Sequence, residues 1–131
     1  MCIFCKIINH DIPHHKVYED DKVLVFLDIK PVNPGHLLVL PKMHYANIEE
    51  TPEEVMVDII KIVKKMGKLL KDKLGVLGYN VTENNDPVAG QGVPHLHFHV
   101  IPRHEGDGHV LWPQSDYAEG EADAMVKKLL S

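Results

Sequence analysis

The chain has 131 residues, which suits one domain over residues 1–131 with a real core and is too short for two of ordinary size. Charged residues make up 25% and hydrophobic ones 44%, ordinary for a soluble globular protein. A net charge of -5 excludes the broad cationic surface that a nucleic-acid polymer requires. No apolar run approaches the ~20 residues of a membrane span, and no signal peptide is recognisable. A cytoplasmic protein with neither membrane nor nucleic-acid partners is expected.

Cys2 to Ile8 reads as one or two helical turns ending at Asn9-His10-Asp11. Lys16–Glu19 and Lys22–Ile29 read as a hairpin whose turn is Glu19-Asp20-Asp21. His10, His14 and His15 sit in a polar segment and read as surface residues. Pro31, Asn33, Pro34 and Gly35 introduce a further apolar strand, His36–Pro41. Thr51-Pro52-Glu53-Glu54 opens a long helix, with Thr51 as N-cap, Pro52 as first helical residue and Glu54 closing a capping box. Val55, Ile59, Ile62, Val63, Met66, Leu69 and Leu70 keep a helical period to a C-terminal cap at Gly75. Tyr79–Glu83 is a strand, Asn84–Gly92 a polar loop, His95–Ile101 the last strand, and a short terminal helix starts near Glu119. This pattern predicts an α+β fold: an antiparallel sheet of about five strands, one long helix and short terminal helices.

The last strand reads Pro-His-Leu-His-Phe-His-Val-Ile-Pro-Arg. Alternation puts His95, His97 and His99 on one face, ~6.6 Å between neighbours, with Leu96, Phe98 and Val100 facing a core. Imidazole can ligate metal, attack phosphorus or move a proton near neutral pH, so this face is the candidate active site. The bland alternative is three solvated histidines on an edge strand. The preceding loop, with Gly90 and Gly92, can aim backbone amides at an anion. Asn84 and Gln91 add side-chain amides there.

Cys2 and Cys5 have the Cys-x₂-Cys spacing of half a zinc site, and His44 and His95 are best placed to complete a structural Cys₂His₂ set. The alternatives are a thiol pair packed as small hydrophobes or a redox pair. A rival zinc site of His95, His97 and His99 makes the protein a metallohydrolase. Adjacent histidines on a flat strand do not readily converge on one tetrahedral ion.

Together these residues resemble the histidine triad (HIT) family, and its Hint-like branch most. The match runs through Asp28 in Phe-Leu-Asp-Ile, Gly35-His36-Leu-Leu-Val-Leu-Pro-Lys, His44, Gly78-Tyr79, Asn84, Ala89-Gly90-Gln91 and His95–Arg103. The resemblance implies a homodimeric hydrolase or transferase of nucleoside monophosphate groups, acting on phosphoramidates, dinucleoside polyphosphates or similar conjugates. By position His97 is the nucleophile forming a nucleotidyl-histidine intermediate, His99 bonds the α-phosphate and His36 buttresses the histidine face. Gln91 and Gly92 contact the phosphate with Asn84 beside them, and Asp28 accepts the ribose hydroxyls. Ile3, Phe4, Ile7, Phe26, Ile29 and Leu38 form the pocket for a base, most readily a purine. Many relatives carry Ser or Thr where this chain has Gly92, so a hydroxyl that protonates the leaving group is missing. The tail of residues 104–131 falls at the expected dimer interface. A nucleotide-binding regulatory module with little turnover is the reading from a different class.

Overall fold

Residues 2–131 are described in a computed structural model. Its elements are α1 (Ile3–Ile8), β1 (Lys16–Glu19), β2 (Val23–Leu27), β3 (Leu37–Pro41), α2 (Glu53–Leu74), β4 (Gly78–Glu83), β5 (Phe98–Arg103) and α3 (Glu121–Leu130). The strands form one five-stranded sheet in the order β1-β2-β3-β5-β4, every neighbouring pair antiparallel. The fold is α+β, as the sequence pattern predicts.

β2 and β3 are apolar at nearly every position because the sheet is covered on both faces. Val23, Val25, Leu37, Val39, Phe98 and Val100 point to α2, where they meet Ile59, Val63, Met66 and Leu70. Leu24, Phe26, Leu38 and Leu40 point the other way, against Phe4 and Ile7 of α1. Each such side chain fully removed from water contributes roughly 1.5–3 kcal/mol. The second, smaller core holds α1 against the sheet beside the histidines.

α2 approaches the sheet closely at Gly67, where an added Cβ would meet the Tyr79 ring 2.2 Å away. It ends at Gly75, whose left-handed backbone (φ 66°) donates its N–H to the Lys71 carbonyl. The expected capping box is not formed. Pro52 is the N-cap, and the Thr51 hydroxyl donates to the Asn47 carbonyl at 2.7 Å, drawn into the preceding turn. Glu53 and Glu54 still place negative charge at the helix N-terminus.

The last strand starts later than the alternation implies, at Phe98 rather than His95. Pro94 has no N–H for a ladder, His95 N–H turns back to the Val93 carbonyl, and Leu96 N–H is captured by the Tyr45 carbonyl at 2.7 Å. Alternation of faces survives: Leu96 joins the core against α2 while His95 and His97 contact Phe4 on the opposite side. α3 buries none of its residues, and the chain is exposed from Gly108 onward. Among the described residues no helix is long and apolar enough to cross a membrane.

Candidate functional site

A cavity of about 380 Å³ opens between α1, the ends of β2 and β3, and the loop before β5. Its apolar wall is Ile3, Phe4, Ile7, Phe26, Ile29 and Leu38, all six residues expected to hold a base. Asp28, Asn84, Gly90, Gly92, His97 and His99 line it as well. One carboxylate oxygen of Asp28 accepts the Lys30 N–H at 2.9 Å, while the other lies 3.7 Å from His36 Nε2. The cavity thus sets an apolar wall beside a carboxylate and imidazoles, with Asp28 within 4.8 Å of His36 and His99.

The backbone fixes where each histidine keeps its proton. Val32 N–H donates to His36 Nδ1 at 3.0 Å, so a neutral His36 is protonated on Nε2. That Nε2 lies 2.8 Å from His99 Nδ1, which must therefore accept, leaving His99 with an Nε2–H. His97 shows the opposite polarity. Its Nδ1 lies 2.7 Å from the His95 carbonyl, which can only accept, so His97 Nε2 carries a bare lone pair. Burial pushes the titration of His36 and His97 down. His99 falls to about 4, chiefly through burial and then through His97 and His36. Near neutral pH the face therefore offers one nucleophilic nitrogen and one N–H donor, with the two rings 5.1 Å apart.

His95 belongs to a second constellation. Its Nε2 donates to the Pro41 carbonyl at 2.8 Å, turning Nδ1 toward the cysteines. That nitrogen lies 3.4 Å from Cys2 Sγ and 3.6 Å from Cys5 Sγ. His44 Nδ1 lies 3.6 and 3.3 Å from the same two sulfurs, which are 3.4 Å apart. Bonds of about 2.0–2.3 Å to a tetrahedral ion put its ligands about 3.3–3.8 Å apart, so this donor set fits zinc. The sulfurs are too far apart for a disulfide, whose bond is about 2.05 Å. Among the described residues His95, His97 and His99 do not come together as a ligand set: His95 groups instead with Cys2, Cys5 and His44.

A family model for the HIT domain matches residues 9–106. The chain is 59% identical over 111 residues to an uncharacterized HIT-like protein of Methanocaldococcus jannaschii, covering 85% of each. It belongs to the HIT family. An adenosine 5'-monophosphoramidase of Schizosaccharomyces pombe is 42% identical over 132 residues, covering 99% of this chain and 96% of that one. A crystal structure of a zinc-bound histidine triad family protein from Mycobacterium smegmatis is 33% identical with TM-score 0.80, covering 98% and 94%.

In this HIT protein the cavity brings together the expected Asp28, Asn84, Gly92, His97 and His99 with the six apolar residues, and two residues lie elsewhere than expected. Gln91 does not line the cavity. Its Nε2 donates to the Ala46 carbonyl at 2.6 Å and its Oε1 accepts the Asp86 N–H at 2.9 Å, so it braces the loop. The bond falls at Asp86, whose φ of 72° is a conformation that costs a non-glycine residue energy. His14 is the other exception. It lines the cavity with its ring edge against Phe26, centroids 5.7 Å apart, rather than lying free on the surface. Ile12, Pro13, Leu27 and Val93 also line the cavity and were not expected there. Ile12 and Val93 pack on the same small core as Phe4 and Phe26, an apolar signal too short and isolated to stand out in the sequence.

Proposed function

We propose that this HIT protein hydrolyses, or transfers to other acceptors, the nucleoside monophosphate group of phosphoramidates and related conjugates. The observation that carries it is the opposed polarity of two neighbouring imidazoles: bare Nε2 on His97, Nε2–H on His99. The name of the Schizosaccharomyces pombe relative, an adenosine 5'-monophosphoramidase, supports the same class of substrate.

In this reading the base lies among Phe4, Ile7, Phe26 and Leu38, the ribose hydroxyls donate to Asp28, and the α-phosphate sits between His97 and His99. The His97 Nε2 lone pair forms a bond to phosphorus. The bond from phosphorus to the leaving group breaks, its electron pair departing with that group, which takes a proton from solvent. The His97 ring is then cationic, with its Nδ1–H held by the His95 carbonyl. Charge on the phosphoryl oxygens meets His99 Nε2–H, a donor already in place. Water then attacks phosphorus and gives up a proton to solvent, the N–P bond breaks with its electrons returning to Nε2, and the monophosphate leaves. A covalent step replaces one difficult displacement by two easier ones.

Zinc on Cys2, Cys5, His44 and His95 fits this reading as a structural ion, since all four positions are filled by protein. It would tie the start of α1 to the segment entering β5. We also assign a homodimer. Val110, Leu111 and Trp112 are exposed beside Val81 of the sheet-edge strand, and symmetric pairing is the commonest way to bury such a face. A monomer in sedimentation at micromolar concentration contradicts that assignment. The function is tested by incubation with adenosine 5'-phosphoramidate: release of adenosine monophosphate supports it. Saturable binding without turnover favours the regulatory-module reading instead.

A further inference from the structure

The His36–His99 pair depends on one backbone amide. Val32 N–H occupies His36 Nδ1. If that amide swung away, His36 could carry its proton on Nδ1 and turn a lone pair toward His99. His99 would then have to donate from Nδ1, and it would present a bare nitrogen to an anionic ligand. The placement of Val32 therefore chooses whether His99 offers the cavity a donor or an acceptor.

Val32 lies in the turn between β2 and β3, which contains Pro31, Pro34 and Gly35 (φ 98°) and no regular structure to hold it. The neighbouring residue supplies the anchor. Asn33 is buried, 8% exposed, and its Nδ2 donates to the Pro102 carbonyl at 2.8 Å and to Asp107 Oδ2 at 3.0 Å. Its own carbonyl accepts the His36 N–H at 3.1 Å. Asp107 is a fixed post. Its carboxylate accepts Arg103 Nε at 2.8 Å, Arg103 Nη2 at 3.1 Å, and the N–H groups of His104 and His109. Arg103 Nη1 donates onward to Asn80 of β4 at 2.8 Å. His109 closes the clamp by donating from Nε2 to the Val32 carbonyl at 3.0 Å.

We propose that Asn33 is a positioning residue, braced on Asp107 and assisted by His109, that keeps the Val32 amide on His36 and thereby sets the proton which His99 presents to the cavity. Asn33 touches neither cavity nor histidine ring with its side chain; it acts through the turn. The consequence for turnover rests on the phosphoryl-transfer reading above. The consequence for the tautomers does not.

The test is long-range proton–nitrogen spectroscopy of ¹⁵N-histidine-labelled protein without ligand at about pH 7.5, where unperturbed imidazole is neutral. Wild type should show His36 and His99 both protonated on Nε2. Asn33→Ala should move His36 to a mixture of tautomers and His99 with it. Its kcat on adenosine 5'-phosphoramidate should fall roughly tenfold, with KM changed less than about twofold, as for a misplaced catalytic group. His109→Phe, at an exposed position, should give the same change more weakly and serves if Asn33→Ala does not fold. Unchanged tautomers in the variants that fold overturn the proposal, as does a wild-type His99 protonated on Nδ1. Shifted tautomers in Asn33→Ala, with a wild type that shows no turnover, would uphold the positioning role and remove the functional reading instead.

Discussion

His36 Nε2 lies 2.8 Å from His99 Nδ1, and through that contact a buried ring that never reaches the cavity decides what the cavity ring can donate. The pair can carry its proton in this sense only while both rings are neutral. A proton added to His99 would set two N–H groups against each other.

Stability should register that conflict. His99 titrates at about 4 in the fold, against about 6.5 for an unperturbed histidine. The unfolded chain therefore takes up the proton first. The stability linked to this ring is fully present above pH ~6.5 and is lost as pH falls toward 4. His36 and His97 are shifted in the same direction by burial. Thermal unfolding measured across this window should show a falling Tm, with a shallower fall in His99→Gln. Equal slopes would mean that His99 is not desolvated as described.

Gly92 lines the cavity where the family resemblance implies a hydroxyl. A Cβ built there meets nothing within 4 Å, and the backbone is not left-handed. Gly92→Ser should thus fold with an unchanged Tm and place a proton donor at the cavity. Turnover of substrates with an amine leaving group should rise at least ~10-fold, the lower side of what general acids supply. Conjugates whose leaving group is already acidic should gain little. A uniform change across both substrate classes would contradict leaving-group protonation.

Zinc removal separates structure from chemistry. Freshly purified protein should contain about one zinc per chain, given four protein ligands per site. Chelation, or Cys5→Ser, should lower Tm by several degrees, because each kcal/mol lost moves a domain of this size by roughly 2–8 °C. Turnover per folded molecule should change far less. Metal-free protein with an unaltered Tm would remove the ion from the assignment.

Asp28 should impose a sugar preference. A carboxylate accepting ribose hydroxyls makes charge-assisted bonds typically worth ~1.5–3 kcal/mol each. Ribonucleotide conjugates should outperform their 2′-deoxy counterparts by about tenfold or more, and Asp28→Asn should shrink that ratio. Equal kcat/KM values for the two sugars in wild type would take Asp28 out of the ribose site.

The sheet and the long helix were legible because their signals are local, whereas the apolar wall of the cavity was expected only from the family resemblance. Uninterrupted apolar runs at Val23–Leu27 and Leu37–Pro41 mark strands covered on both faces, and the period from Val55 to Leu70 marks one side of a helix. What stayed hidden depends on partners distant in the chain. Thr51 reads as a cap until the Asn47 carbonyl takes its hydroxyl, and His95 reads as a strand residue until Tyr45 captures the next N–H. His14 reads as surface because its flanks are polar, yet Phe26, twelve positions on, gives it a ring to pack against. Gln91 reads as a phosphate ligand by its position in the loop, while its amide is spent on Ala46 and Asp86. No pattern in the sequence could reveal the direction of the protons on His36, His97 and His99, because backbone groups set it.

The covalent step is tested most directly by intact-protein mass spectrometry after rapid alkaline quench of wild type mixed with adenosine 5'-phosphoramidate, followed by peptide mapping. A transient adduct of one adenylyl group on His97 is expected, with no adduct and no turnover in His97→Ala. Turnover persisting in His97→Ala, or an adduct mapped to His99, would contradict nucleophilic attack by the His97 lone pair.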